Sequence, residues 1–340
     1  MKVYVGMSGG VDSSLTAALL KEQGYDVTGV YMKNWTEDLP GMRCPWADDL
    51  ADAKRVAVQL GIDFKVYDFE TEYKQKVVNY MIDEYRLGRT PNPDIMCNQE
   101  VKFKLFLETA LEDGAEMIAT GHYARVEHGK LLRAKDDNKD QTYFLYRVTG
   151  EALKKTLFPL GGYTKTEVRE MAKERGLYTA SKKDSQGICF VGQIGVKDFL
   201  SQYVTTEPGD VIDKQSGEAI GRHEGAIFYT LGQRHGLNLG GGLPYYVVGK
   251  DMDKNEVYVT RDLNDGTLWK KDIQLSSLHW INEAPADGEY QIRIRHRAPL
   301  IAAHLQGSIL ELSEPQRAIT SGQSVVIYHD EVCLGGGIIA

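Results

Sequence analysis

Over the first half of the chain, short apolar runs alternate with amphipathic stretches. Residues 2–6 form an apolar run that fits a buried strand, and a Gly/Ser loop follows it. Leu15, Ala18 and Leu19 then recur at helical spacing, and Gly24 marks the stop of that helix. Residues 26–32 predict a second strand, 47–60 an amphipathic helix stopped by Gly61, and 63–69 a third strand. Helices are predicted over 71–87 and 99–111, and a further apolar strand over 115–120. Such alternation predicts an α/β fold, a Rossmann-like parallel sheet with helices on both faces.

The texture changes near residue 200. Pro208-Gly209 makes a turn, and β-branched and aromatic residues with frequent Gly dominate beyond it. Residues 245–249 and 256–260 read as a hairpin across 251–255. Residues 291–297 alternate Ile with Arg and His, like a half-buried strand, and 324–328 and 333–340 read as closing strands. This half divides into two small β-rich modules. The expected units are therefore 1–200, the α/β unit; 201–272, a central β-rich module; and 273–340, a β-barrel.

A chain of 340 residues with 42% apolar and 26% charged residues has room for such units, each with its own core. Its formal net charge of −8 argues against a nucleic-acid binder held by bulk positive charge. It leaves room for a local basic patch, and Arg293, Arg295, His296 and Arg297 offer one; the same residues also fit an ordinary solvated strand face. No apolar run is long enough to cross a membrane. No leader is read before the first strand, so a cytoplasmic location without membrane attachment is expected. The four cysteines, Cys44, Cys97, Cys189 and Cys333, show no CxxC spacing, so thiols rather than a metal site are expected. Cys44 reads as a loop residue beside Pro45 and Trp46, and Cys333 as core. Trp35, Trp46, Trp269 and Trp280 read as packing residues.

The first motif with chemistry is Gly6-Met7-Ser8-Gly9-Gly10-Val11-Asp12-Ser13, between a predicted strand and a predicted helix. Adjacent glycines let backbone N–H groups approach an anion, and the helix that follows points the positive end of its dipole there. Ser8 and Ser13 add hydroxyl donors. Asp12 is out of place beside a polyanion unless it orients the loop or helps hold Mg2+. The string is neither GxxxxGK[ST] nor GxGxxG. It resembles the PP-loop of the ATP pyrophosphatases, which cut ATP between the α- and β-phosphates to adenylate a carbonyl oxygen.

Two further loops carry cysteines. Gly88-Arg89-Thr90-Pro91-Asn92-Pro93-Asp94-Ile95-Met96-Cys97-Asn98 is stiffened by proline, with a carboxylate three residues before a cysteine and a helix after it. A thiol near a helix N-terminus has its thiolate favoured by the dipole. Asp94 fits a general acid or base and fits a turn former equally. In Asp184-Ser185-Gln186-Gly187-Ile188-Cys189-Phe190-Val191-Gly192 the cysteine lies between glycines.

With these loops the chain resembles the tRNA 2-thiouridylase family over nearly its whole length. The resemblance includes Gly29-Val30-Tyr31-Met32-Lys33-Asn34-Trp35, Ala119-Thr120-Gly121-His122-Tyr123-Ala124 and Asn138-Lys139-Asp140-Gln141-Thr142-Tyr143-Phe144-Leu145. It continues through Tyr229-Thr230-Leu231-Gly232-Gln233-Arg234 to Glu331-Val332-Cys333-Leu334-Gly335-Gly336-Gly337. It implies an ATP site, with Mg2+, made by Gly6, Met7, Ser8, Gly9, Gly10, Val11, Asp12, Ser13, Met32 and Gly121. It implies a pocket for the target uracil at Asn92, Pro93 and Asp94, a persulfide on Cys189, and Cys97 as its partner nucleophile. It also implies tRNA contacts at His122, Lys139, Asp140, Gln141, Arg295, His296 and Gln323. At the position of His296 the family carries an aromatic residue. The implied partners are tRNA, presenting its wobble uridine, and a sulfur-donor protein such as a cysteine desulfurase or a sulfur-relay protein. Two other readings stand beside this one: a PP-loop synthetase or amidating enzyme acting on a small molecule, and a non-catalytic RNA-binding or sulfur-carrier protein with a relic loop.

Overall fold

The computed structural model describes residues 1–38, 44–183, 195–237, 239–240 and 242–340. Cys189 and its neighbours in 184–194 lie outside them. In chain order the first strands are β1 (Lys2–Gly6), β2 (Asp26–Lys33), β3 (Asp63–Asp68) and β4 (Met117–Ala119). A short hairpin, β5 (Arg125–Glu127) and β6 (Lys130–Leu132), precedes β7 (Thr156–Leu157). All but the hairpin form one parallel sheet in the order β3-β2-β1-β4-β7.

The period of two along β1 explains how both faces are covered. Val3 and Val5 enter a cluster with Ala17 and Leu20 of helix α1 (Val11–Glu22) and Val56 of helix α2 (Trp46–Leu60). Tyr4 enters the opposite cluster, with Val77, Val101 and Phe106. The chain leaves β1 toward β2 on one side, while β4 pairs on the other. In such sheets the crevice for a ligand opens at the carboxyl ends of the two strands where the order reverses. Here those ends carry residues 6–13 and 120–123.

Two expectations for this half change. The helix predicted over 99–111 begins earlier, at Pro93, where Asn92 caps it by accepting the Asp94 N–H at 3.2 Å. Proline suits a first helical position because its missing N–H would have no partner there. The helix then runs as a π-turn over Cys97–Leu105 before Phe106–Glu112, and a second π-turn, Lys74–Val78, interrupts the helix predicted over 71–87. The β5–β6 hairpin was not foreseen. Its strands are too short for a periodicity, and its turn is made by His128 and Gly129, both at positive φ.

The second half follows the expected texture. β8 (Gly209–Asp213), β9 (Ala219–His223), β10 (Tyr246–Asp251) and β11 (Glu256–Thr260) form a sheet in the order β10-β11-β8-β9. The anticipated hairpin is β10–β11. Six strands then close a barrel: β12 (Trp269–Trp280), β13 (Gly288–Arg293), β14 (Ile301–Gln306), β15 (Ile309–Arg317), β16 (Ser324–His329) and β17 (Val332–Ile339). They run in the order β12-β15-β14-β13-β16-β17, and β17 returns to β12. The β6 strand pairs with β17 and ties the α/β unit to the barrel. Among the described residues no helix is long and apolar enough to cross a membrane.

Candidate active site

The loop after β1 holds itself open for an anion. Gly10 is the N-cap of α1 and offers no side chain, so the first-turn N–H groups of the helix have no cap. The Ser13 hydroxyl donates to the Gly10 carbonyl at 3.2 Å and accepts the Ser8 N–H at 3.2 Å. Gly9 sits at φ +73°, and a Cβ there would lie 2.4 Å from the Asp49 carbonyl oxygen. A Cβ at Gly121, just beyond β4, would lie 2.8 Å from the Ser13 nitrogen. Glycine is required at both places for close backbone approach. Met32 closes the floor, its Cε against Gly6, and Met7 is buried, its N–H donated to the Val30 carbonyl at 2.8 Å. These residues fit a polyphosphate.

Asp12 lines the anion end of the loop, but not as a bare charge. The Tyr123 hydroxyl donates to Asp12 Oδ1 at 2.9 Å, and Lys165 Nζ lies 2.7 and 2.8 Å from its two oxygens. Both carboxylate oxygens are thereby engaged by protein donors, so Asp12 is not poised as a free ligand for Mg2+ in this arrangement. Its orienting role is the one the contacts support. Lys165 opens helix α3 (Lys165–Glu174), capped by Thr164 and Glu167 in a reciprocal box. Sequence reasoning missed it, because no local pattern links it to a residue 153 positions away.

A cleft of about 260 Å³ runs from this loop to the barrel. Ser8, Gly10, Val11 and Asp12 line one end, and Lys139, Gln141, His296 and Arg297 the other. Lys182 and Lys183 also line it. Lys182 is held 2.7 Å from both Asp49 and Asp52 of α2. Gln141 is fixed by exchange with Tyr123: it accepts the Tyr123 N–H through Oε1 and donates its own N–H to the Tyr123 carbonyl.

The anticipated basic strand is corrected here. β13 ends at Arg293, and residues 294–297 form a turn with Arg297 at φ +62°. Arg293 is 5% exposed and points into protein, paired with Asp140 at 2.8 Å. Asp140 is 0% exposed. Its carboxylate also accepts the Ala134 N–H and the Thr142 hydroxyl. It therefore cannot touch tRNA in this arrangement; it positions Lys139 and Gln141 on either side of it. The exposed cations are Arg295 and Arg297. The His296 ring lies 4.4 Å from that of Phe144. Burial, with Arg297 nearby, lowers its pKa to about 4, so the ring is neutral near pH 7.

Asn92, Pro93, Asp94 and Cys97 lie in the first turns of the Pro93 helix, which is tied to the same region when Asn98 Nδ2 donates to the Phe144 carbonyl. Loss of water raises the Asp94 carboxyl above the usual range, with Lys102 opposing. Cys97 is 6% exposed, one turn inside the helix rather than at its start. Burial pushes its thiol up, Lys102 pulls it down, and Asp94 pushes it up again. The activated thiolate anticipated from the helix dipole is thus not the resting state. His122, likewise buried, accepts or donates through Nδ1 to Thr120 Oγ1 at 2.8 Å and packs on Phe103 and Phe158. Burial holds it well below its ordinary pKa. Lys102, which acts on all three groups, had no signal in the sequence. Gln323 donates to the Thr90 carbonyl at 2.7 Å, at the foot of the Asn92 loop. Cys97, Cys44 and Cys333 are free thiols, and no metal-ligating cluster occurs among the described residues.

Three family models match in succession: a tRNA methyl transferase HUP domain over residues 1–193, a tRNA methyl transferase PRC-barrel domain over 197–261, and an aminomethyltransferase β-barrel domain over 270–339. The chain is 49% identical to the tRNA-specific 2-thiouridylase MnmA of Bacillus licheniformis, over 99% of this chain and 94% of that protein. The chain belongs to the tRNA-specific 2-thiouridylase family. Other members include MnmA of Listeria monocytogenes, 48% identical over 100% of this chain and 94% of the relative, and MnmA of Bacillus subtilis, 47% identical over 99% and 94%. Family membership gives the loop after β1 its context, and the geometry above shows how this member assembles it.

Proposed function

We propose that this chain is an ATP-dependent tRNA-uridine 2-sulfurtransferase acting on the wobble uridine. The observation that carries the reading is one cleft joining an uncapped glycine loop to Lys139, Gln141, His296 and Arg297 on the barrel side. It offers one end to the phosphates of ATP and the other to RNA.

Uracil C2 is a poor electrophile, so its oxygen must first become a leaving group. In the proposed sequence uracil O2 attacks the α-phosphate of ATP and pyrophosphate leaves. The outer sulfur of a Cys189 persulfide attacks C2, and AMP leaves. The Cys97 thiolate then attacks the inner sulfur of Cys189, which breaks the S–S bond and leaves sulfur on C2. A Cys97–Cys189 disulfide remains, and a dithiol reductant returns it to thiols. Release of hydrosulfide by Cys97 before attack on C2 gives the same products. Asp94, its carboxyl raised by burial, takes the N3 proton of the uracil as O2 attacks. Asp12 is committed to Lys165 and Tyr123, so Mg2+ would be held through the phosphates of ATP and would offset their charge. A sulfur-donor protein, a cysteine desulfurase or a relay protein, loads Cys189, and the cytoplasm is the proposed site of the encounter with tRNA.

The test is to incubate the protein with ATP, tRNA and a persulfide donor, and to analyse nucleosides and nucleotides by mass spectrometry. 2-Thiouridine, AMP and pyrophosphate are expected, with no 2-thiouridine from Cys97→Ser or Cys189→Ser. Formation of ADP, or AMP release with small amides and no RNA, would overturn the reading in favour of another ATP enzyme.

A further inference from the structure

A second cleft, of about 490 Å³, lies where the central module meets the barrel. It is lined by Arg295 and Arg317 and by the polar side chains of Thr230, Gln233, Thr320 and Gln323. No Asp or Glu lines it among the described residues. In a chain of net charge −8, a recess with two arginines and no carboxylate is a local reversal of sign.

Both guanidinium groups are held before any ligand arrives. Arg317, the last residue of β15, lies over the Tyr246 ring with its Cζ 4.5 Å from the centroid. Its Nε is buried with no hydrogen-bond partner. No carboxylate among the described residues pairs with it. Arg295 donates through Nη2 to the carbonyls of Arg317 and Ala318. A buried Nε does not reach a ligand, so a phosphate in the cleft would be met by the terminal nitrogens of Arg317. Planar guanidinium donors match phosphate oxygens in pairs.

The position of the cleft says which phosphate. The turn 294–297 divides the two recesses: Arg295 lines this one, while His296 and Arg297 line the nucleotide cleft. On the other side the Thr90 N–H donates to Ser321, the Thr90 carbonyl accepts from Gln323, and the Thr90 hydroxyl meets the Thr230 hydroxyl at 3.1 Å. Thr90 stands two residues before Asn92, where the target base is proposed to enter.

The geometry points to a backbone-phosphate subsite, centred on Arg317 and Arg295, that grips an RNA phosphodiester next to the target uridine. This rests on the sulfurtransferase reading and adds to it a residue, Arg317, whose work is to seat the flanking nucleotide while the base is held out of its stack.

The experiment measures binding of an anticodon stem–loop RNA at several salt concentrations for wild type, Arg317→Gln and Arg317→Lys. It uses RNAs in which single linkages around the target uridine are neutral methylphosphonates. For wild type, one neutral linkage flanking the uridine should weaken binding roughly ten-fold, the loss expected for a charge-assisted contact. Arg317→Gln should bind the unmodified RNA roughly ten-fold more weakly, with a salt slope lower by about one. It should be indifferent to that linkage, and Arg317→Lys should recover most of the slope. ATP affinity should not move. If wild type binds and thiolates the RNA while no flanking linkage matters, or if Arg317→Gln keeps the same affinity and slope, the subsite is refuted alone. If wild type binds no RNA, the sulfurtransferase reading falls with it.

Discussion

The His296 ring is packed on Phe144 at 4.4 Å and held neutral by burial. A neutral imidazole so placed does the packing work of an aromatic ring. The pH consequence has a definite sign. The unfolded chain takes the proton near pH 6.5, whereas the folded protein takes it only near pH 4. Between these values the unfolded state binds more protons, so stability falls as pH drops through that window. The slope is at most about 1.4 kcal/mol per pH unit, the limit for one proton. His296→Tyr should flatten the melting temperature against pH between 6.5 and 4 relative to wild type, and should keep tRNA binding at pH 7. An unchanged pH profile in the variant would show that the ring does not titrate as described. Nothing in the sequence assigned this role, because a histidine beside three arginines reads as part of a cationic patch until its neighbours are seen.

The α1 and α3 helices pack side by side, Leu15, Ala18 and Leu19 of one against Val168 and Ala172 of the other, with an ion pair at each end: Arg175–Glu22 away from the phosphate loop and Lys165–Asp12 beside it. Lys165, at the start of α3, neutralises Asp12 in the first turn of α1. Removing the ammonium leaves a carboxylate facing the place where phosphates are proposed to sit, a repulsion within a partly buried site. Lys165→Ala should therefore raise KM for ATP by roughly ten-fold or more, on the order of 1.4 kcal/mol. Asp12→Asn in the same chain should restore part of it, because the uncompensated charge is gone. Additive losses in this double-mutant cycle would mean that the pair is not coupled to the nucleotide. At the same scale the sequence was most legible. β1, α1, β2, α2 and β3 follow apolar periods with Gly24 and Gly61 as stops, and the loop declares itself by its glycines. The hairpin β5–β6 and the end of β13 at Arg293 were not legible, because each is decided by a long-range partner, β17 for the hairpin and Asp140 for the strand. The early start at Pro93 is written locally, in the Asn92 cap and a proline at the first helical position, and was overlooked.

At the scale of the whole molecule, the question is what keeps the barrel in register with the α/β unit, since the nucleotide cleft takes residues from both. The buried pair Asp140–Arg293 crosses that junction, with Thr142 bonded to Asp140 and to the Tyr328 hydroxyl. Tyr143 and Tyr146 both reach Ser324 beside it. Breaking a buried pair by removing one partner strands a charge and costs about 3–5 kcal/mol, while replacing both partners with neutral groups costs less. Asp140→Asn alone should therefore lower the melting temperature by several degrees and weaken tRNA binding, since Lys139 and Gln141 flank it and His296 follows Arg293 by three residues. Asp140→Leu with Arg293→Met should regain much of the melting temperature. If the pair positions the RNA face as well as stabilising the fold, that double variant should still bind tRNA more weakly than wild type, with ATP affinity preserved. Calorimetry and RNA titration on the same preparations separate the two roles. Full recovery of tRNA binding along with stability would make Asp140 and Arg293 a structural clasp and nothing more.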